Sequence, residues 1–135
     1  MSMPWAMQWL YARISDGPSI ILAYSHCIAH GIDMKKGLDQ QYLAVNSGHW
    51  PLMRYNPVLR MAGKNPFLLD SPRPRFPLAK YHENELRFRM LKASNPEAAE
   101  RMLEFGQMQV ERRWRDYEEM SVRSAAEFAA DAKES

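Results

Sequence analysis

Cysteine occurs once in the 135 residues, at position 27, so the chain cannot close an internal disulfide and nothing in it points to secretion or an oxidising compartment. Long apolar runs are missing as well. None approaches the roughly 20 residues a membrane-spanning helix requires, and the start, Met1-Ser2-Met3-Pro4-Trp5-Ala6-Met7, lacks the cationic opening and cleavage site of a secretory signal. Charge of one sign is scarce: a formal net charge of +2 is too small to argue for a polyanion-binding surface, and the sequence pI near 8.8 leaves only a weak nucleic-acid reading. Repeats and low-complexity tracts are absent. The expectation is a cytoplasmic protein with neither a membrane nor a nucleic acid as partner.

What is present suits a single core. A chain of this length buries roughly two-thirds of its extended surface, and 46% hydrophobic with 25% charged residues is ordinary globular composition. Met3, Met7, Leu10, Tyr11 and Ile14 recur at helical spacing, and Asp16-Gly17-Pro18 ends that pattern in a turn. Residues 18–25, Pro-Ser-Ile-Ile-Leu-Ala-Tyr-Ser, are an unbroken apolar run of strand length, which predicts a strand covered on both faces in a parallel sheet.

Asp33 is placed to cap a helix over 34–46 whose apolar stripe is Met34, Leu38, Tyr42 and Val45, with Asn46-Ser47-Gly48 as the stop. Six prolines between 49 and 77 then exclude long helices, and short extended pieces at 50–55 and 67–69 are the most this stretch is expected to permit. A helix is expected over 83–92. Asn95 as cap and Pro96 at the first position open a last helix of about 25 residues. Its inner face is Ala99, Met102, Leu103, Gly106, Val110, Trp114 and Tyr117, and its outer face carries Glu97, Arg101, Glu104, Glu111, Arg115 and Glu118. Such a charged face reads as solvated surface. The tail over 121–135 either extends that helix or frays.

Chemistry concentrates in Ser25-His26-Cys27-Ile28-Ala29-His30, a loop at the carboxyl end of the expected strand, where open parallel sheets gather ligands. Three readings of its spacing stay open. Cys27 can be a small packed hydrophobe with histidines serving local backbone groups. His26, Cys27 and His30 can be part of a zinc set, although a closed site needs four ligands and adjacent His26 and Cys27 are awkward to aim at one ion. Cys27 can also be a nucleophilic thiol near a helix start.

Wider context narrows the choice. The segments Asp16-Gly17-Pro18-Ser19-Ile20-Ile21-Leu22-Ala23-Tyr24-Ser25-His26-Cys27-Ile28-Ala29-His30-Gly31-Ile32, Ser47-Gly48-His49-Trp50-Pro51-Leu52-Met53-Arg54-Tyr55-Asn56-Pro57 and Gly63-Lys64-Asn65-Pro66-Phe67-Leu68-Leu69-Asp70-Ser71 resemble, in order, the closing part of the pyruvate:ferredoxin (flavodoxin) oxidoreductases. The likeness continues through Asn84-Glu85-Leu86-Arg87-Phe88 and Asn95-Pro96-Glu97.

The resemblance implies a family that oxidatively decarboxylates pyruvate with thiamine diphosphate and magnesium, passes the acetyl group to coenzyme A, and sends electrons through 4Fe-4S clusters to ferredoxin or flavodoxin. It also implies that Cys27 matches the last ligand of the cluster nearest the thiamine. Cysteine thiolates are the ordinary ligands of such clusters. For His26 and His30 packing or local hydrogen bonding is expected, for Gly31 a close backbone approach, and for Arg54 a surface or ion-pairing role.

The departures matter too. A 4Fe-4S cluster takes four thiolates and this chain has one. The family's Gly-Asp-Gly segment and following asparagine, which hold magnesium and diphosphate, lie upstream of the matching region, as do the pyruvate and coenzyme A domains. The first 15 residues match poorly, as a truncated reading frame or an expression boundary would produce.

The expected fold is therefore α/β: a fragment of a parallel-sheet thiamine-diphosphate-binding domain over 1–80, a helical C-terminal segment over 81–120, and a tail over 121–135. Alone it is expected to be inactive, with the remainder of the oxidoreductase as its partner. A separately encoded subunit, and a small metal or interaction module built on His26, Cys27 and His30, are the alternatives.

Overall fold

The computed structural model describes residues 17–124, 126 and 127. The helix expected over 3–14, and most of the tail over 121–135, lie outside them. The described chain is α/β and mostly helical, with one small sheet. In order come a 3-10 turn at Ile28–His30, a second at Met34–Lys36, α1 (Gly37–Asn46), β1 (Met53–Tyr55), α2 (Pro57–Met61), β2 (Phe67–Leu69), α3 (Leu78–His82), α4 (Leu86–Ser94) and α5 (Pro96–Val122).

Local signals account for most of these elements. Asp33 accepts from the Lys35 amide and Asn56 from the Val58 amide, each closing one orphan N–H at a helix start. Asn95 does the same for Ala98, with Pro96 behind it, and opens α5, whose 27 residues come close to the length its periodicity predicts. Replacing Asn95 with alanine should lower the stability of the chain by about 1 kcal/mol, measurable as a lower urea midpoint at an unchanged slope. The two short extended pieces also form, pairing antiparallel as Met53↔Leu69, Arg54↔Leu68 and Tyr55↔Phe67. Arg54 in the middle of β1 and Asp70 just past β2 tie the two strands together through two bonds of 2.7 Å, the ion-pairing role expected for that arginine.

The core lies where α1, α3 and α5 meet. Leu43, Ala44, Leu78, Tyr81 and Val110 form it, with Tyr24, Trp50, Phe76, Phe88 and Leu103 packed around. On α5 the buried Val110 and Trp114 come from the face the periodicity selects, although Met102 of the same face is exposed. The long helix also ties down the proline-rich crossing. Arg113 donates to the carbonyls of Gly48 and His49, Gln107 accepts from the Leu78 amide at the start of α3, and Asn65 donates to the Met120 and Ser121 carbonyls at the end of α5.

Three expectations fail here. A short helix, α2, forms inside the proline-rich stretch where only extended pieces were expected, because Pro57 takes the first helical position, which needs no N–H, and Asn56 caps it. No ladder forms over 18–25, because a strand is held by neighbours and, among the described residues, β1 and β2 pair only with each other. Ile20 and Leu22 accordingly stay 87% and 80% exposed. A helix does form over 37–46, but the apolar stripe is turned outward: Met34, Leu38 and Tyr42 are exposed, and the side facing the core carries Gln40, Leu43, Ala44 and Asn46. Among the described residues no helix is long and apolar enough to cross a membrane.

Candidate functional site

Cys27 is exposed and sits in extended backbone, with φ −129° and ψ 138°, just before the 3-10 turn. Side chains of an extended segment alternate between faces, and here the alternation is visible. Tyr24 and His26 turn toward the body while Ser25 and Cys27 are exposed. The sulfur thus stands on the solvent side of a segment whose other side is anchored.

Three tethers hold that segment. Before the cysteine, the Tyr24 hydroxyl meets the hydroxyl of Tyr81, and its ring stacks on Trp50 at 5.1 Å. Beside the cysteine, Gln41 of α1 donates to His26 Nδ1 at 2.9 Å. The His26 ring lies close over Gly37, where a Cβ would stand 2.6 Å from Nε2. After the cysteine, the turn closes through bonds from the His30 amide to the Cys27 carbonyl and from the Gly31 amide to the Ile28 carbonyl.

Gly31 then takes φ +69°, and its carbonyl accepts from the Leu86 amide at the start of α4. A Cβ at Gly31 would stand 2.3 Å from the Leu86 Cβ. The close approach expected of this glycine is present. Gly31→Ala combines a left-handed backbone with a clash against a helix start, so a loss of about 3 kcal/mol is expected in denaturant unfolding.

Beneath the segment lies a buried polar cluster. Glu85, 0% exposed, receives Gln40 Nε2 at 3.0 Å and the Tyr81 hydroxyl at 2.8 Å on one oxygen, and Arg87 Nε at 2.5 Å on the other. Gln40 also donates to the Tyr81 carbonyl and accepts from Asn84. The His49 ring stacks on Tyr81 at 4.2 Å and meets the edge of Tyr24 at 5.4 Å.

Charge states follow from these contacts. Burial disfavours ionisation of Glu85, but the bonds from Tyr81, Gln40 and Arg87 outweigh it and hold the carboxyl below its ordinary range. Burial and the bond that Tyr81 donates to the Glu85 carboxylate push its phenol up, so it stays protonated. Burial, with His82, Arg113 and Arg87 nearby, pulls His49 down to about 4 against the smaller opposing pull of Glu85, leaving it neutral near pH 7.

Of the loop residues singled out by sequence, Cys27 is presented and the two histidines are not aimed with it. Among the described residues no group of three or more His, Cys, Asp or Glu side chains is placed to hold a metal ion. His26 is engaged by Gln41 of α1, a tertiary bond where packing or a local one was expected, and His30 Nδ1 is buried without a hydrogen-bond partner among the described residues. The supporting set of Tyr24, Gln40, Tyr81 and Glu85 was missed. Glu85 lies inside one of the segments that carries the family likeness, yet nothing in its spacing marks it as buried.

No family model matches the chain. Similar proteins do exist, and those compared below are redox enzymes named for pyruvate. The chain is 50% identical over 117 residues to a pyruvate-flavodoxin oxidoreductase of Nostoc sp., covering 85% of this chain and 10% of that protein. It is 40% identical over 106 residues to the pyruvate:ferredoxin oxidoreductase of Moorella thermoacetica, covering 78% and 9%. It is also 41% identical over 91 residues to a mitochondrial pyruvate dehydrogenase [NADP(+)] of Euglena gracilis, covering 66% and 5%. This chain is homologous to a segment of the pyruvate-flavodoxin and pyruvate:ferredoxin oxidoreductases. It spans about one tenth of the length of the curated relatives it matches first.

Proposed function

We propose that the chain works as part of an oxidoreductase that oxidatively decarboxylates pyruvate to acetyl-coenzyme A and reduces ferredoxin or flavodoxin, and that Cys27 supplies one thiolate to a 4Fe-4S cluster. The observation carrying this reading is the pairing of an exposed sulfur with a segment anchored on both sides of it. A lone presented thiolate fits a cluster whose other three ligands come from the remaining polypeptide, and it fits a self-contained metal site poorly. When bound, the cluster carries single electrons away from the pyruvate chemistry.

This chain's own part is to hold a deprotonated sulfur in place, with Tyr24 and His26 directed away from it. Thiamine diphosphate, magnesium and coenzyme A would be held by the remainder of the enzyme, and no residue here is assigned to them. The chain by itself is therefore inactive, in keeping with a cytoplasmic enzyme of which it forms one piece. Its exposed apolar side chains support the same reading. Ile20, Leu22, Met34, Leu38 and Tyr42 are all exposed, and a parallel-sheet thiamine-diphosphate domain would cover Ile20 and Leu22 by adding strands next to residues 18–25. The test is the iron content of the anaerobically purified assembly containing this chain, with and without Cys27→Ser. Equal iron in the two would end the proposal.

A further inference from the structure

A buried carboxylate is costly to place, so what it holds identifies its use. Glu85 is covered completely and takes three donors from three parts of the chain: Gln40 on α1, Tyr81 on α3 and Arg87 at the start of α4. Tyr81 has one hydroxyl proton, and it goes to Glu85. The remaining bond, between Tyr81 and Tyr24, must then use the proton of Tyr24. A directed chain results: Tyr24 donates to Tyr81, and Tyr81 donates to the carboxylate.

Tyr24 stands three positions before Cys27 in the extended segment. The residue after Glu85, Leu86, donates its amide to Gly31, four positions past Cys27. The carboxylate thus fixes one side of the cysteine segment through Tyr81, and the helix start that it orders fixes the other.

We propose that Glu85, acting through Tyr81 and Tyr24, is a positioning residue for the Cys27 sulfur. The inference rests on the reading of Cys27 as a cluster ligand. Only a carboxylate can accept from all three donors, so glutamine is a strict probe of matching shape. Its amide group must face either Arg87 or the Tyr81 and Gln40 pair, and each arrangement sets donor against donor. Tyr24→Phe is the milder probe. It removes a single hydroxyl and leaves the ring on Trp50.

The experiment uses the complete oxidoreductase containing this chain, purified anaerobically. Two quantities are measured: the rate of iron loss to a chelator, and the paramagnetic resonance spectrum of the reduced cluster that disappears in Cys27→Ser. Changes to groups that orient metal ligands commonly cost about 10–100-fold in metal affinity. Glu85→Gln and Tyr24→Phe should each speed iron loss from that one cluster by about tenfold and broaden its signal. Asn95→Ala, which weakens the fold at the other end of α4, should leave rate and spectrum at wild-type values.

Iron loss at the wild-type rate in both Glu85→Gln and Tyr24→Phe, with Cys27→Ser still lacking the cluster, overturns the positioning role and leaves the ligand standing. Acceleration by Asn95→Ala equal to that of the two variants overturns it as well, since general destabilisation would then suffice. A Cys27→Ser enzyme with full iron and an unchanged spectrum instead removes the ligand reading itself.

Discussion

On the proposed ligand role of Cys27, serine at position 27 should cost the complete enzyme one whole cluster, about four iron atoms per chain, and most of its electron delivery. A cluster iron binds a thiolate, and a serine hydroxyl stays protonated near pH 7 and offers a poor donor in its place. Losing merely an outer group that orients a ligand costs about 10–100-fold in metal affinity or activity, so losing the ligand should reduce flavodoxin or ferredoxin reduction by about 100-fold or more. The fold should hardly notice. Cys27 is exposed, and an exposed substitution of similar size usually stays within about 0.5 kcal/mol. Iron assay, visible absorption and urea unfolding of the same two preparations separate these effects. A variant that keeps its iron, or one that loses it only together with its fold, would contradict the assignment.

The second large effect is on stability against acid. His49 has a folded pKa of about 4 against an ordinary 6.5, because it is buried beside His82, Arg113 and Arg87. Between those values the unfolded chain binds a proton that the folded chain does not. Stability therefore rises with pH across this window, and falls as pH drops from 6.5 toward 4. The gap corresponds to roughly 3 kcal/mol. His82, also lowered chiefly by burial, acts in the same direction. Glu85 acts lower down: its contribution is present above the ordinary carboxylate pKa and disappears only as pH falls through its depressed folded value.

His49→Phe keeps a flat ring for Tyr81 and Tyr24 to pack on while removing the titration. Its unfolding free energy, measured by urea at steps from pH 7 to pH 4.5, should lose about 1.4 kcal/mol per pH unit of slope within that window. A slope equal to that of the parent protein would show that His49 is protonated in the fold.

Some of this could be read from residues in order and some could not. The Asn95-Pro96 start and the long periodic run after it were sufficient to mark α5, since a cap and a 3.6-residue period are local properties. The short extended pieces between prolines were legible for the same reason. The stripe of Met34, Leu38 and Tyr42 was legible as a stripe, but periodicity states only which residues share a face. Which face is covered depends on what else packs there, and here α3 meets the Gln40 side. The run over 18–25 has the composition of a buried strand but joins no ladder among the described residues, so Ile20 and Leu22 stay exposed.

The sequence by itself determined the long capped helix α5, a helix over most of 34–46, the absence of an internal disulfide, and a family likeness that includes the single cysteine. The tertiary structure decided that this sulfur faces outward on a segment anchored at Tyr24, His26 and Gly31, and that Glu85 lies at the bottom of the anchoring network. The physical reason is that a buried carboxylate is tolerable only where several donors converge. Residues 40, 81 and 87 become neighbours of Glu85 only once the chain has folded.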